Sequence, residues 1–258
     1  MKAVILCAGY ATRLYPLTIN QPKALLPVLN KPLLDYIIEK TEKIEGIDKT
    51  YIVTNDKFHA NFENWLSKRE NAKKKMGNFQ TSLVALDKKK IEIVNDKTTS
   101  NENRLGGLGD LWFAVKKFKI DDDLLIVCGD NLFDSDLNEM TDFFGKIKKP
   151  VIGVYDVGDA NEARKMGVVS EKNGKIEVFE EKPQEPKGTL CSIGIYLYPR
   201  ECIREIGEYM KTGKLKDGPG HLINYFLRFR DIHSFEIRGK WHDIGSLETY
   251  EKVRNAKI

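Results

Sequence analysis

The chain has only four cysteines, Cys7, Cys128, Cys191 and Cys202, and no CxxC pair among them. That spacing offers neither a redox motif nor a thiolate metal site. Cys7, Cys128 and Cys191 sit inside apolar runs, where buried free thiols are common. A reducing, cytoplasmic setting is the expectation. No apolar stretch approaches the roughly 20 residues that span a bilayer. The opening Met1-Lys2-Ala3-Val4-Ile5-Leu6 is too short for a signal-peptide core, so no membrane partner is expected. An excess of one charge is also missing. The net charge is +4, spread along the chain, which gives no reason to expect a nucleic-acid partner. The densest basic cluster, Lys68-Arg69 with Lys73-Lys74-Lys75, echoed by Lys88-Lys89-Lys90, reads as a solvated helix end or loop. The glycine fingerprints GxxxxGK[ST] and GxGxxG are absent, which counts against a P-loop protein and a Rossmann oxidoreductase. There is no internal repeat and no low-complexity linker.

What is present is an ordinary globular balance, 41% hydrophobic and 31% charged over 258 residues, enough for a substantial core. Short β-rich runs alternate with helical patterns, the signature of a layered α/β fold. Strands are expected at Ala3–Leu6, Thr50–Thr54, Lys90–Val94, Leu124–Cys128 and Val151–Tyr155. The runs Ile52-Val53 and Leu124-Leu125-Ile126-Val127 are continuously apolar, as parallel strands covered on both faces should be. Helical spacing predicts helices over Leu33–Ile44, Phe58–Ala72 and Leu108–Phe118. After about residue 150 the pattern turns towards antiparallel β. Asn173-Gly174 marks a hairpin between Gly167–Ser170 and Lys175–Glu180, and a strand follows at Cys191–Tyr198. Helices are expected at Glu201–Tyr209, Leu222–Phe229 and Leu247–Ala256, with a strand at Ser234–Ile237. One domain over 1–258 is the simplest organisation, with a nucleotide-facing half (1–150) and a substrate-facing half (151–258).

Four segments carry chemistry. After the first strand comes Cys7-Ala8-Gly9-Tyr10-Ala11-Thr12-Arg13-Leu14, then Pro22-Lys23. Small residues let a main chain wrap an anion, and Arg and Lys neutralise it; a plain strand-to-helix turn explains the first segment about as well. Gly129-Asp130-Asn131 places an acid directly after a buried strand, suited to Mg²⁺ and substrate phosphates, or to a simple β-turn. Glu181-Lys182-Pro183 pairs an acid and a base at a strand end, in a site or merely solvated. In Trp241-His242-Asp243-Ile244-Gly245-Ser246, an acid precedes a glycine turn and could cap the last helix.

Taken in order, these segments resemble the sugar-1-phosphate nucleotidyltransferases. The first motif, the Gly-Asp-Asn, the Glu-Lys-Pro and the Trp-x-Asp-x-Gly-Ser all match, from Met1 to about Tyr250. Two weaker matches are Leu105-Gly106-Gly107-Leu108-Gly109-Asp110, after Thr98-Thr99-Ser100-Asn101, and Met166-Gly167-Val168-Val169; Gly194 resembles the family's glycine under the hexose. The resemblance implies a three-layer, Rossmann-like mixed α/β sheet of the nucleotide-diphospho-sugar transferase type, with a β-rich sugar-binding half.

It also implies an enzyme in which a sugar 1-phosphate attacks the α-phosphorus of an NTP, giving NDP-sugar and pyrophosphate. Catalysis falls to Arg13, Lys23 and Asp130, with Asp130 and Asp243 on Mg²⁺. Nucleotide contacts fall to Ala8, Gly9, Tyr10, Ala11, Thr12, Arg13, Thr98, Thr99, Gly106 and Gly107. Sugar-phosphate contacts fall to Asn131, Gly167, Glu181, Lys182 and Gly194. The partners implied are the two substrates, with homo-oligomerisation left open. The alternatives are a cytidylyltransferase for phosphocholine or a polyol phosphate, and a non-catalytic sugar-nucleotide sensor. Two departures stand out. Ala11 replaces a glycine of the first motif, which strains the loop if φ is positive there. The chain also carries no hexapeptide-repeat domain, so a monofunctional enzyme is expected.

Overall fold

The computed structural model describes residues 1–77, 90–214 and 217–254. The first half holds β1 (Lys2–Leu6), a small β2–β3 hairpin (Pro27–Val28 and Lys31–Pro32), α1 (Leu33–Lys43), β4 (Lys49–Thr54), α2 (His59–Gly77), β5 (Lys90–Asn95), α3 (Gly107–Phe118), β6 (Leu124–Cys128), β7 (Asn131–Phe133) and α4 (Asn138–Ile147). The second holds β8 (Val151–Asp156), α5 (Ala160–Ala163), β9 (Gly167–Lys172), β10 (Lys175–Glu181), β11 (Leu190–Tyr198), α6 (Cys202–Lys211), α7 (His221–Phe226), β12 (His233–Glu236), β13 (Trp241–Asp243) and α8 (Leu247–Arg254).

Alternation along β1 explains the layering. Ala3 and Ile5 enter one core with Leu34, Ile37 and Ile38 of α1 and Phe62 and Trp65 of α2. Val4 enters the opposite core with Leu108, Leu111 and Val115 of α3 and Ile206 of α6. A strand with apolar residues on both faces is stable only when helices cover both. Among the described residues, nine strands form the main sheet in the order β5-β4-β1-β6-β11-β8-β12-β10-β9. The strands β5, β4, β1 and β6 run parallel, and β11 is antiparallel to both its neighbours β6 and β8.

From β1 the chain steps outwards to β4 and β5, then returns to β6 on the other side. That reversal is a topological switch point, and it opens a crevice beyond the carboxyl ends of β1 and β6.

The Asn173-Gly174 hairpin forms as the sequence requires, with φ of 54° and 73° at its two turn residues. The second half is less antiparallel than the pattern suggested. The strands β8 and β12 pair in parallel, with Ser234 opposite Ile152. The closing helix is described to Arg254, and Ala256 lies outside the described residues, as do Lys88 and Lys89 of the basic stretch.

One core residue makes a stability prediction. The Tyr198 hydroxyl is buried without a hydrogen-bond partner among the described residues, while its ring packs edge-on against Phe226. Tyr198→Phe keeps the ring and removes a desolvated hydroxyl. It should raise stability by about 1 kcal/mol, read as a higher denaturant midpoint at unchanged slope.

Candidate active site

Both switch-point strands end in turns that touch. Cys7 N donates to Val53 O at 2.8 Å, and Gly129 N donates to Leu6 O at 2.9 Å. A Cβ on Gly129 would lie 2.3 Å from Cys7 Sγ, so only glycine lets the two turns approach this closely. The next residue, Asp130, is thereby carried to the mouth of the crevice. In the opposite turn Ala11 has φ 50° and ψ 43°, the left-handed region. An alanine there costs roughly 1 kcal/mol or more relative to glycine. Its carbonyl is held by Leu14 N at 3.0 Å and by the buried Thr18 hydroxyl at 2.8 Å, which offsets that strain. The loop keeps the conformation that glycine would favour, with Gly9, Thr12 and Arg13 exposed on it.

Lys23 follows Pro22 at the start of a single 3₁₀ turn, Lys23–Leu25, whose Leu25 is anchored in the core. Its Nζ meets Asp130 Oδ2 at 2.8 Å, with the two side chains 19% and 33% exposed. Asp243 arrives from the far end of the chain through a short ladder. The strand β13 pairs antiparallel with β7, setting Asp243 opposite Asn131, and Ile244 N donates to Asp130 O at 3.0 Å. A small core of Leu14, Leu26, Val28, Leu132, Ile244, Tyr250 and Val253 fastens this ladder beneath the first turn. The Tyr250 hydroxyl closes it with a bond to Pro27 O at 2.8 Å.

The charges form one field. Burial works against the Lys23 ammonium, but Asp130 and Asp243 outweigh it and hold its pKa above the ordinary value. Burial likewise pushes Asp130 up, and the charge and hydrogen bond of Lys23 bring it below the usual carboxylate range. Asp243 is raised to about 6, first by desolvation and then by the Asp130 charge, against the opposing pull of Lys23, Arg13 and Lys182. Four predicted residues, Arg13, Lys23, Asp130 and Lys182, are therefore within electrostatic reach of a fifth, Asp243. Two hard-oxygen carboxylates that repel each other at a crevice mouth suit a dication completed by phosphate oxygens. Among the described residues no cluster of three or more His, Cys, Asp or Glu forms a protein-only metal cage.

The remaining predicted residues fall in two places. Of those expected at the sugar phosphate, Gly167 packs against Phe179, whose ring would be 2.4 Å from a Cβ there with Glu181 Oε2 at 3.3 Å, and Lys182 adopts φ 48° with its N–H on Met166 O. Gly194, at φ 75°, sits in a bulge of β11, where a Cβ would be 2.9 Å from Cys128 Sγ and 3.2 Å from Asn131 Nδ2. Asn131 itself is buried, donating to Cys128 O at 3.0 Å and accepting from Trp241 Nε1 at 2.7 Å. Of those expected at the nucleotide, Ala8 and Tyr10 are buried, and the Tyr10 hydroxyl donates to Thr98 Oγ1 at 3.4 Å. Thr98 is buried too, Thr99 is exposed, and Gly106 and Gly107 begin α3. Gly107 N donates to Asp217 O at 2.9 Å.

Sequence reasoning missed a buried acid pair here. Asp96 directly follows β5 and Asp110 lies in the first turn of α3, 4% and 5% exposed, with their side chains hydrogen-bonded to each other. Burial, then the Asp96 charge and that bond, pushes Asp110 up to about 9. The only signal was an Asp inside the quoted Gly-rich segment. A carboxyl raised in the folded state holds a proton that the unfolded chain releases near pH 4. Its contribution to stability is therefore lost steadily from about pH 4 to about pH 9. Asp110→Asn should melt higher than wild type at pH 8.5, with the difference shrinking towards pH 5. Thermal melts across that range test it.

Fold and site together describe an α/β protein that gathers cations and paired acids at a switch point, as phosphate-handling proteins do. The chain belongs to the nucleotidyl transferase family, whose family model matches residues 2–257. Over 98% of its length it is 27% identical to a Sulfolobus acidocaldarius protein named as a mannose-1-phosphate guanyltransferase, covering 62% of that relative. It is 30% identical over 252 residues to the "Bifunctional protein GlmU" of Methanocaldococcus jannaschii, covering 51% of it. The chain thus spans about half to three-fifths of the curated relatives it matches. The crystal structure of a Bacillus anthracis protein named as a glucose-1-phosphate thymidylyltransferase superposes with a TM-score of 0.77 at 25% identity, over 100% of this chain and 97% of that one. The fold is that of the nucleotide-diphospho-sugar transferases.

Proposed function

We propose that this protein transfers a nucleotidyl group from an NTP to a sugar 1-phosphate, releasing pyrophosphate. The observation that carries this reading is the Lys23–Asp130 contact at 2.8 Å, with Asp243 laddered beside it, at the switch point of a nucleotidyl transferase fold. Residues 1–150 form the nucleotide half and 151–258 the sugar-phosphate half. Backbone N–H groups of the Gly9–Thr12 turn wrap the triphosphate, and Arg13 neutralises the departing pyrophosphate. Lys23 leans from Asp130 towards the α-phosphoryl group, and Lys182 holds the attacking sugar phosphate. Glu181 accepts from a sugar hydroxyl, and Gly167 and Gly194 contact the sugar phosphate through their backbones, since Phe179 and Cys128 fill the space a side chain would take there. No protein nucleophile is required, because in-line displacement needs positioning and charge stabilisation.

Asp130 and Asp243 are the residues that hold Mg²⁺. Bound there, Mg²⁺ supplies Lewis-acid neutralisation of the charge that develops on the phosphates. The names of the relatives support a sugar phosphate over phosphocholine as acceptor. A reducing cytoplasm fits the four free cysteines, and no described helix is long and apolar enough to cross a membrane. A pyrophosphate-release screen tests the reading, pairing ATP, CTP, GTP, UTP and dTTP with hexose 1-phosphates, hexosamine 1-phosphates and phosphocholine. At least one sugar pair should turn over with Mg²⁺; turnover with phosphocholine alone would overturn the sugar assignment.

A further inference from the structure

The acid pair Asp96–Asp110 is used by no step above, yet it sits where the nucleotide half is assembled. Two carboxyl groups hydrogen-bonded to each other must share a proton, since two carboxylates have only acceptors to offer. Asp96 has a second task. Its Oδ1 accepts from Thr98 N at 2.7 Å and from Thr98 Oγ1 at 2.8 Å, which fixes the 96–98 turn. Thr98 then receives the Tyr10 hydroxyl from the phosphate loop, and Thr98 O accepts from Asp56 N at 2.9 Å. On the other side, Asp110 N donates to Gly106 O at 2.8 Å, so the Asp110 backbone anchors the α3 start at Gly106–Gly107. Among the described residues, Asp110 Oδ1 is buried and finds no hydrogen-bond donor. An acid left that way is costly unless the bond it does make is needed.

We propose that Asp110, through its bond to Asp96, is a positioning residue for the nucleoside end of the NTP, holding Gly106–Gly107 in register with Thr98 and Tyr10. This rests on the nucleotide-site reading above. Asp110 touches no substrate in this scheme. Among the described residues, the other titratable groups that interact with the pair are Asp56, Tyr10 and Cys7, and none is a cation. Loss of the shared proton therefore puts two uncompensated charges beneath the nucleotide wall. Asparagine at position 110 keeps a donor to Asp96 and cannot ionise.

The test is steady-state kinetics on the full chain, with the NTP and sugar 1-phosphate that turn over best in the screen, at pH 7.5 and 9.5. Asp110→Ala should raise the KM for NTP about tenfold, the scale of a hydrogen bond to a charged group. The KM for sugar 1-phosphate should stay within about twofold. In wild type the KM for NTP should rise between the two pH values, and in Asp110→Asn it should stay flat and near the pH 7.5 wild-type value. An unchanged KM for NTP in Asp110→Ala, an equal rise in both KM values, or an alkaline rise that persists in Asp110→Asn overturns the inference. If wild type turns over no pair, the function reading fails instead. The inference is then read from calorimetric affinity for each NTP, where equal affinity of Asp110→Ala and wild type, or no binding by either, overturns it.

Discussion

Asp130→Asn is expected to lower pyrophosphate release by at least about a thousandfold while leaving the protein folded, the scale typical of removing a charge-stabilising group in an excluded site. Asparagine preserves the shape of the side chain and leaves the backbone bond from Ile244 N to Asp130 O intact, so β7 and β13 should stay paired. What disappears is the one carboxylate of the pair that Lys23 holds ionised. Asp243→Asn should cost nearly as much, because a dication held by two carboxylates plus phosphates loses half its protein ligands. The readouts are pyrophosphate release, Mn²⁺ affinity followed by electron paramagnetic resonance, and the thermal midpoint. Near-normal release with either variant would sink the metal assignment. A collapsed melting transition would move the effect from chemistry to folding.

Lys23→Met should be the second severe lesion, with turnover reduced by about a hundred- to a thousandfold. The side chain is surrounded by Asp130 and Asp243, whose charges raise its pKa despite burial, so it is a cation throughout the working pH range. Methionine fills a similar volume and cannot neutralise a phosphoryl oxygen. The loss should fall mainly on kcat, since the interaction is strongest as charge builds on the transferred group. Lys23→Arg should rescue little, because a planar guanidinium does not replace a point ammonium between two carboxylates. If the loss appeared only as a raised KM for sugar phosphate, Lys23 would belong to acceptor binding instead.

The β1, β4 and β6 strands were legible because burial on both faces leaves continuous apolar runs, and the Asn173-Gly174 turn because it demands positive φ at both residues. The strain anticipated at Ala11 is also present, since a left-handed φ there follows from the tight turn into the Thr12–Leu14 3₁₀ turn. Other features were beyond the pattern. The ladder that brings Asp243 beside Asp130 has only three residues on each strand, too few for period-two alternation to register. The parallel pairing of β12 with β8 depends on the chain returning across the sheet, which no local signal encodes. The acid pair was hidden for a different reason. Asp96 and Asp110 are each unremarkable just past a strand or in a first helical turn, and only the tertiary fold, with α3 laid against β1 and β4, makes them a shared-proton unit.

The most direct test of direct, in-line transfer at this site is the stereochemical course at the α-phosphorus. One diastereomer of the α-thio NTP is reacted with the best sugar 1-phosphate, and the configuration of the NDP-sugar product is read by ³¹P NMR. A single displacement guided by Arg13, Lys23 and the paired acids predicts inversion, with pyrophosphate and NDP-sugar formed in equal amounts. Retention, or conversion of the NTP to NDP and orthophosphate, would contradict it.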